Sequence, residues 1–492
     1  MIALPHKKRL IHVTDGNIGQ NHITVTGLFD FLPKDCIGPS RRTNGQTGTP
    51  IRIELDGLGE TIETDIGSDR KSGKPRHHFR GRWWVKRFFQ HHGVRSGDVL
   101  ELERLEERLY YLRMASQQGL RNEEPIRVLE FFAGIGLVRL AVERQGMKVV
   151  FANDIDADKL QMYEANFAAT DFKLGDIHDL RARNIPDCEL ATASFPCTDL
   201  SIAGAMNGIH SGESSAFWGL IKLLREMKSR RPPFILLENV PGFLMSHNGQ
   251  DFESAMLALN ELDYAVDAFF VDAASFVPQS RLRLFVVGRR EAPGSSSFEL
   301  IHSAARPQSL IQFIVSHPEL RWSLRPLPPP PTRKSTLASI IEDLPDGDSA
   351  WWNQERADYF MNQLSDRHAG VAQGMIASRT ISYATAFRRV RHGRSMAEIR
   401  SDGVAGCLRT PKGGSGRQIL FKGGRGRYQV RLLTSRECAR LQGVPDDYKI
   451  TVPLNQALFG FGDAVCVPVI EWIATNYLAP EIAKLAGQNV KA

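Results

Sequence analysis

Arg127-Val128-Leu129-Glu130-Phe131-Phe132-Ala133-Gly134-Ile135-Gly136 is the stretch on which the reading of this chain turns. A short, mostly apolar run ends in two glycines and passes into a helical pattern, as a buried strand does when it turns tightly into a helix. The rhythm continues outward. Strand-like runs at Lys148 to Ala152, Leu190 to Phe195, Phe234 to Leu237 and Leu284 to Val287 alternate with amphipathic stretches near 137–145, 216–229 and 251–262. This alternation predicts an α/β fold, a parallel sheet with helices on both faces. Upstream, residues 1–118 have an all-β rhythm, with short apolar runs such as Ile23-Thr24-Val25, Ile51 to Leu55 and Val99 to Leu102 between turn residues. After Pro293 the rhythm breaks down. Arg325-Pro326-Leu327-Pro328-Pro329-Pro330-Pro331 is a stiff spacer, and regular structure resumes with helical stretches from Thr434 and Pro468.

At 492 residues the chain has room for two to four domains of roughly 100–200 residues each. It is 42% hydrophobic and 24% charged, and no apolar run approaches the ~18 residues of a membrane span, so a soluble protein without a membrane partner is expected. Residues 1–16 lack the apolar core of a signal peptide. The six cysteines, Cys36, Cys188, Cys197, Cys407, Cys438 and Cys466, form no CxxC pair, which disfavours a disulfide framework or a zinc finger and leads us to expect no metal and a reducing cytoplasm. Charge is concentrated. Arg70 to Arg95 holds nine Lys/Arg and no acid, and Arg379 to Arg431 holds thirteen against Glu398 and Asp402, which leaves −13 on the rest of a chain whose total is +7. Two basic surfaces on an acidic body suit a phosphate backbone, solvated charged faces being the plainer alternative.

Gly134 and Gly136 can bring backbone N–H groups against a ligand, and eighteen residues after Gly136 stands Asp154, at a strand end where a carboxylate can hold ribose hydroxyls. A tight turn and a nucleotide-type site both fit. The missing third glycine disfavours a pyrophosphate cofactor and leaves a smaller adenosine-containing ligand. Ser194-Phe195-Pro196-Cys197-Thr198-Asp199 sets a thiol just past a buried strand, either a small buried hydrophobe or a thiolate favoured by a helix start. Glu238, after four apolar residues and before Asn239-Val240-Pro241, is a candidate acid with a raised pKa or an ordinary strand-end carboxylate.

Together with Gln279-Ser280-Arg281-Leu282-Arg283, the segment Arg431 to Pro445 and Gly462-Asp463-Ala464-Val465, these motifs stand in the order found in the DNA cytosine-5 methyltransferases, which residues 126–480 resemble. The Asp/Asn-Pro-Pro-Tyr segment of amino-methyltransferases is absent. The resemblance implies a Rossmann-like core, S-adenosylmethionine as cofactor, and a flipped-out cytosine in duplex DNA attacked at C6 by Cys197. Glu238 would act at N3, and Arg281 and Arg283 at the base oxygen and around the nucleophile. For the cofactor it implies Phe132 at the adenine, Gly134 and Gly136 near the methionine, Asp154 on the ribose and Asp176 at the adenine amino group. Ala133, Ile135, Ile155, Ile177, Pro196, Asp463 and Ala464 would complete the cleft, and Gly204 to Ser215 would form a closing loop. The chain departs from the family at Ser194, Thr198, Leu137 and Asp463, where Gly, Gln, Gly and Asn are common.

The resemblance divides the chain into a catalytic core at 124–300, a target recognition region at 301–430 and a segment at 431–492 that completes the core. Gly406 to Arg417 is expected to be the recognition loop, with Arg409, Lys412, Ser415 and Arg417 on DNA, a basic linker being the alternative. Residues 1–118, with Trp83 to Phe89 and His92 to Leu100, resemble the pseudobarrel DNA-binding domains of plant transcription factors and some restriction endonucleases. Arg80, Arg82, Lys86 and Arg87 would then contact DNA, the rival being a barrel used for protein contact. The expected setting is restriction–modification or another phage defence system, with possible partner proteins and a monomeric enzyme. An RNA (tRNA) cytosine-5 methyltransferase and a catalytically idle DNA-binding regulator are the rival functions.

Overall fold

Seven strands carry the region that begins at Arg127: β1 (Arg127–Phe131), β2 (Lys148–Asp154), β3 (Phe172–Leu174), β4 (Leu190–Ala193), β5 (Phe234–Asn239), β6 (Tyr264–Asp272) and β7 (Leu282–Arg290). The computed structural model describes residues 8–29, 31–39, 47–70, 72–95, 98–114, 125–196, 215–290, 303–391, 393–410 and 416–489. The strand order is β3-β2-β1-β4-β5-β7-β6. Strands β1 to β5 pair in parallel, and β7 runs antiparallel to both its neighbours. Chain order reverses between β1 and β4, where open α/β sheets keep their ligands beyond the carboxyl ends of the strands.

Apolar runs without alternation are read as strands buried on both faces, and β5 is buried at every residue. Along it, Phe234 and Leu236 join Val128, Val149 and Leu190 on one face, beneath the helices Leu137–Glu143 and Val467–Ile473. Ile235 and Leu237 join Leu129, Phe131 and Ala191 on the other, beneath Ala216–Met227 and Gln250–Glu261. Each large apolar side chain buried this way contributes roughly 1.5–3 kcal/mol before ordering costs.

The boundary expected at residue 301 is corrected by this packing. Leu310, Ile314 and Trp322 are wholly buried in the core cluster, and Trp322 bridges to Val266 of β6. The separate apolar cluster of the inserted region spans Ala357 to Val430. It lies between helices Gln354–Asn362 and Asp366–Ala377 and a four-stranded antiparallel sheet ordered Arg394–Arg400, Ser382–Arg391, Ile419–Gly424, Arg427–Leu432. Residues 1–124 form a separate compact unit. Its strands make two sheets, of five and three strands, around one core. In this unit, expected to be all-β, Trp83–His92 is a ten-residue helix whose buried Trp84, Val85, Phe88 and Phe89 recur at helical spacing. Ile23 to Val25, read as a strand-like run, contributes only an isolated bridge at Thr24.

Glu130 on β1 is wholly buried. It accepts from the Arg139 backbone N–H at 3.0 Å and the Tyr163 hydroxyl at 3.3 Å. Burial, opposed by those donors, pushes its carboxyl up to about 8. An unfolded glutamate ionises near 4.3, so between these values the folded chain holds a proton that the unfolded chain lacks. Stability from this group is full below the lower value and is lost as pH rises through the higher one. Glu130→Gln cannot ionise. Denaturant unfolding at pH 5, 6.5 and 8 should show its stability relative to the unsubstituted chain rising toward pH 8, by on the order of a few kcal/mol.

Candidate active site

The carboxyl ends of β1, β2, β4 and β5 bring together most of the residues singled out on the catalytic side. After β1 the chain turns with Phe132, Gly134 and Gly136 all at positive φ. At Gly136 a side chain would also strike the rings of Phe167 and Tyr163 at 2.5–2.9 Å, whereas at Gly134 it would meet nothing within 4 Å. Gly134 thus presents open backbone on its outer side. Its N–H donates to Asp154 Oδ2 at 2.8 Å, and Asp154 Oδ1 accepts from the Asp156 N–H at 2.9 Å, so one carboxylate ties the first two strand ends together. Ile155 is 67% exposed, an apolar side chain standing beside the acid. Asp176 Oδ1 accepts from both the backbone N–H and Nδ1 of His178, which hold its carboxyl below the usual range. Ala133, Ile135 and Ile177 are buried in the walls. An acid with lone pairs to spare, exposed apolar surface beside it and open glycine backbone fit an adenosine ligand.

Glu238 is buried at the end of β5, and Arg283 Nε stands 3.0 Å from its Oε1. Asn239 Nδ2 donates to the Phe195 carbonyl at 3.2 Å, which fixes the chain just before Pro196. Cys197, Thr198 and the closing loop from Gly204, except Ser215, lie outside the described residues, as do Lys412 and Ser415.

Arg281, expected at the base oxygen, is held by backbone carbonyls. Its guanidinium is buried, donating to the carbonyls of Leu408 (2.9 Å), Gly462 (3.1 Å) and Ala464 (2.7 Å). Ala464, expected at the cofactor, therefore offers its carbonyl to this clasp. Gly462 is required there, since a Cβ would lie 2.7 Å from the backbone of Arg409 and Thr410. Asp463 pairs with Lys159 at 2.8 Å. Nothing in the sequence singles out Lys159, because one lysine in an amphipathic helix carries no mark of its own.

Among the recognition residues Arg409 is exposed, while Arg417 donates to Asn455 Oδ1 at 2.6 Å. In the N-terminal unit Arg80 is committed within the fold, to Asp65 Oδ1 at 2.7 Å and the Pro39 carbonyl at 2.9 Å. Arg82 and Lys86 are exposed. Arg87 pairs with Glu60 and lies over the exposed ring of Trp83.

The C-5 cytosine-specific DNA methylase family matches residues 126–479. The chain is similar to the Type II methyltransferase M.HhaI of Haemophilus parahaemolyticus, 28% identical over 353 residues that cover 71% of this chain and 94% of the relative. It is similar at the same identity to M.HpaII of Haemophilus parainfluenzae, over 76% of this chain and 95% of the relative. The fold resembles the crystal structure of the S. pombe Dnmt2 methyltransferase, with a TM-score of 0.50 and 20% identity over 73% of this chain and 99% of that one.

Arg281→Met would take a donor from three backbone carbonyls, of which Ala464 keeps the Gln442 Nε2 donor at 3.1 Å and Leu408 the Cys407 thiol at 3.3 Å, so the loss is about 1–3 kcal/mol. Thermal unfolding should show a fall in midpoint of several degrees even without DNA. A variant of unchanged stability that loses only methyl-transfer rate would return Arg281 to the base.

Proposed function

The chain belongs to the C-5 cytosine-specific DNA methylases, and we propose that Cys197, Glu238 and Arg283 carry this family's reaction here. The enzyme transfers a methyl group from S-adenosylmethionine to C5 of cytosine in DNA. Asp154, Ile155, Asp176 and the 132–136 turn would hold the cofactor, which supplies an electrophilic sulfonium methyl when bound. The observation that carries the assignment is the contact between Arg283 and the buried Glu238, one strand from the Pro196 turn that leads to Cys197.

Cytosine C5 is a weak nucleophile, so the Cys197 thiolate first adds to C6 of a base swung out of the stack. Glu238 holds a proton at N3 as charge enters the ring, and Arg283 orients that carboxyl. After methylation the C5 proton leaves and the C6–S bond breaks, returning the thiolate. We assign target reading to the inserted sheet and the 406–417 segment, and added affinity for the phosphate backbone to the N-terminal unit through Arg82, Lys86 and Arg87. The relatives' Type II names support a restriction–modification setting, which suits a cytoplasmic monomer acting on the chromosome.

Tritiated-methyl transfer to duplex DNA tests the roles directly. Cys197→Ser should abolish it with cofactor and DNA affinities within a few fold, and 5-fluorocytosine DNA should trap the unsubstituted enzyme as a covalent adduct. Glu238→Gln keeps the shape but cannot deliver a proton, so single-turnover rates should fall by on the order of 100-fold. Full activity in either variant removes that residue from its role.

Deleting residues 1–116 should weaken binding to long duplex DNA and flatten its salt dependence, with methyl transfer at saturating DNA retained. An unchanged salt slope would make the N-terminal basic stretch a solvated or protein-facing surface.

A further inference from the structure

Cys407 is set apart from the other described cysteines. Cys36, Cys188, Cys438 and Cys466 are buried, and burial pushes their thiols up. At Cys407 burial acts in the same direction, yet the guanidinium groups of Arg281, Arg283 and Arg409 outweigh it and hold the thiol below its ordinary value. The geometry is independent of that shift. Arg281 Nη1 lies 3.4 Å and Arg283 Nη2 3.8 Å from Cys407 Sγ, contacts of the length that sulfur, a large and diffuse acceptor, makes with N–H donors. The Nε of the same Arg283 lies 3.0 Å from Glu238. One planar guanidinium therefore joins the sulfur to the carboxylate. Its Nη1 also donates to the Leu282 carbonyl at 2.9 Å, and a planar group held along its edges by the sulfur, the carboxylate and this carbonyl has little freedom to rotate.

The backbone that carries Cys407 is itself fixed. Ala405 N–H donates to the Pro278 carbonyl at 2.8 Å, and the Ala405 carbonyl accepts from Ser280 N–H at 2.9 Å. Leu408 N–H donates to Gln279 Oε1 at 2.9 Å. The sulfur is thus positioned by the arginine motif on both sides of it, two residues before the exposed Arg409 of the segment assigned to DNA.

We propose that Cys407 is a positioning residue for methyl transfer: its sulfur, as acceptor, fixes the Arg283 guanidinium that holds Glu238, and so links the DNA-reading segment to the catalytic carboxyl. It rests on the role given above to Glu238. The residue touches neither base nor cofactor in this account, so its effect falls on the chemical step and not on affinity.

Three full-length variants separate the acceptor from its volume. Serine keeps a smaller acceptor, valine fills the space without one, and alanine does neither. Losing one charge-assisted contact at the reacting carboxyl should slow single-turnover methyl transfer about tenfold in Cys407→Val and Cys407→Ala. Cys407→Ser should stay within about threefold of the parent, with DNA and S-adenosylmethionine dissociation constants and melting temperatures close to the parent in all three. Rates in which valine equals or exceeds serine would make the site one of packing and overturn the proposal. So would parent-like rates in all three, or a loss confined to DNA affinity, which would make Cys407 a DNA contact. Glu238→Gln run alongside tells the two readings apart. If it is slow while every Cys407 variant is normal, only this inference falls; if it is normal, both fall.

Discussion

A buried guanidinium closes this fold. Arg281 begins the turn into β7, yet its donors are received by Leu408 and by the Gly462–Ala464 turn, segments far apart in sequence. A planar cation with five donors is suited to gather several buried carbonyls at once. It also carries a desolvation cost, seen in the lowering of its own pKa by burial, and that cost is bearable only while all its partners are in place. The clasp therefore acts as a conjunction. It ties the insertion, the C-terminal return and the arginine motif to one another.

Two further buried ion pairs repeat the pattern, one within the core and one where the chain leaves the inserted sheet. Arg306 reaches Asp267 in the middle of β6, where Tyr477 from the last helical stretch also donates to the carboxylate. Arg431, leaving the inserted sheet, pairs with Glu437 with both side chains fully buried. Apolar residues of equal volume often serve stability as well or better, and removal of one partner is costly because a bare charge remains. In this chain one pair ties Arg306 to the middle of β6 and the other stands where the chain returns from the inserted sheet.

The electrostatics divide into committed and available charge. Arg80, Arg281, Arg306 and Arg431 are held inside the fold by carboxylates or carbonyls. Arg82, Lys86 and Arg409 are exposed. A count of basic residues cannot make this division, because a guanidinium in an internal clasp and one facing a phosphate contribute the same letter.

What the sequence determined by itself follows from local chemistry. Parallel strands buried on both faces must be apolar throughout, so β1, β2, β4 and β5 were legible, as was a helical stretch from Thr434, which the structure shows as the helix Ser435–Leu441. The turn at Gly134 and Gly136, Asp154, Glu238 and the arginine motif stood out by residue type and by their order along the chain, although the groups that satisfy them lie 20 to 183 residues away. β6 was not, since Asp267 interrupts its apolar run and is tolerated through Arg306, Arg325 and Tyr477 from other segments. The inserted sheet was hidden for a related reason: the small Ala384 and Ala386 of Ser382–Arg391 are buried in a cluster shared with the helix Asp366–Ala377. Which arginine serves the site and which serves the fold, the pairing of Lys159 with Asp463, and the approach of Cys407 to Arg283 belonged to tertiary structure alone. Each depends on groups brought within 4 Å from distant positions, and no spacing along the chain encodes that distance.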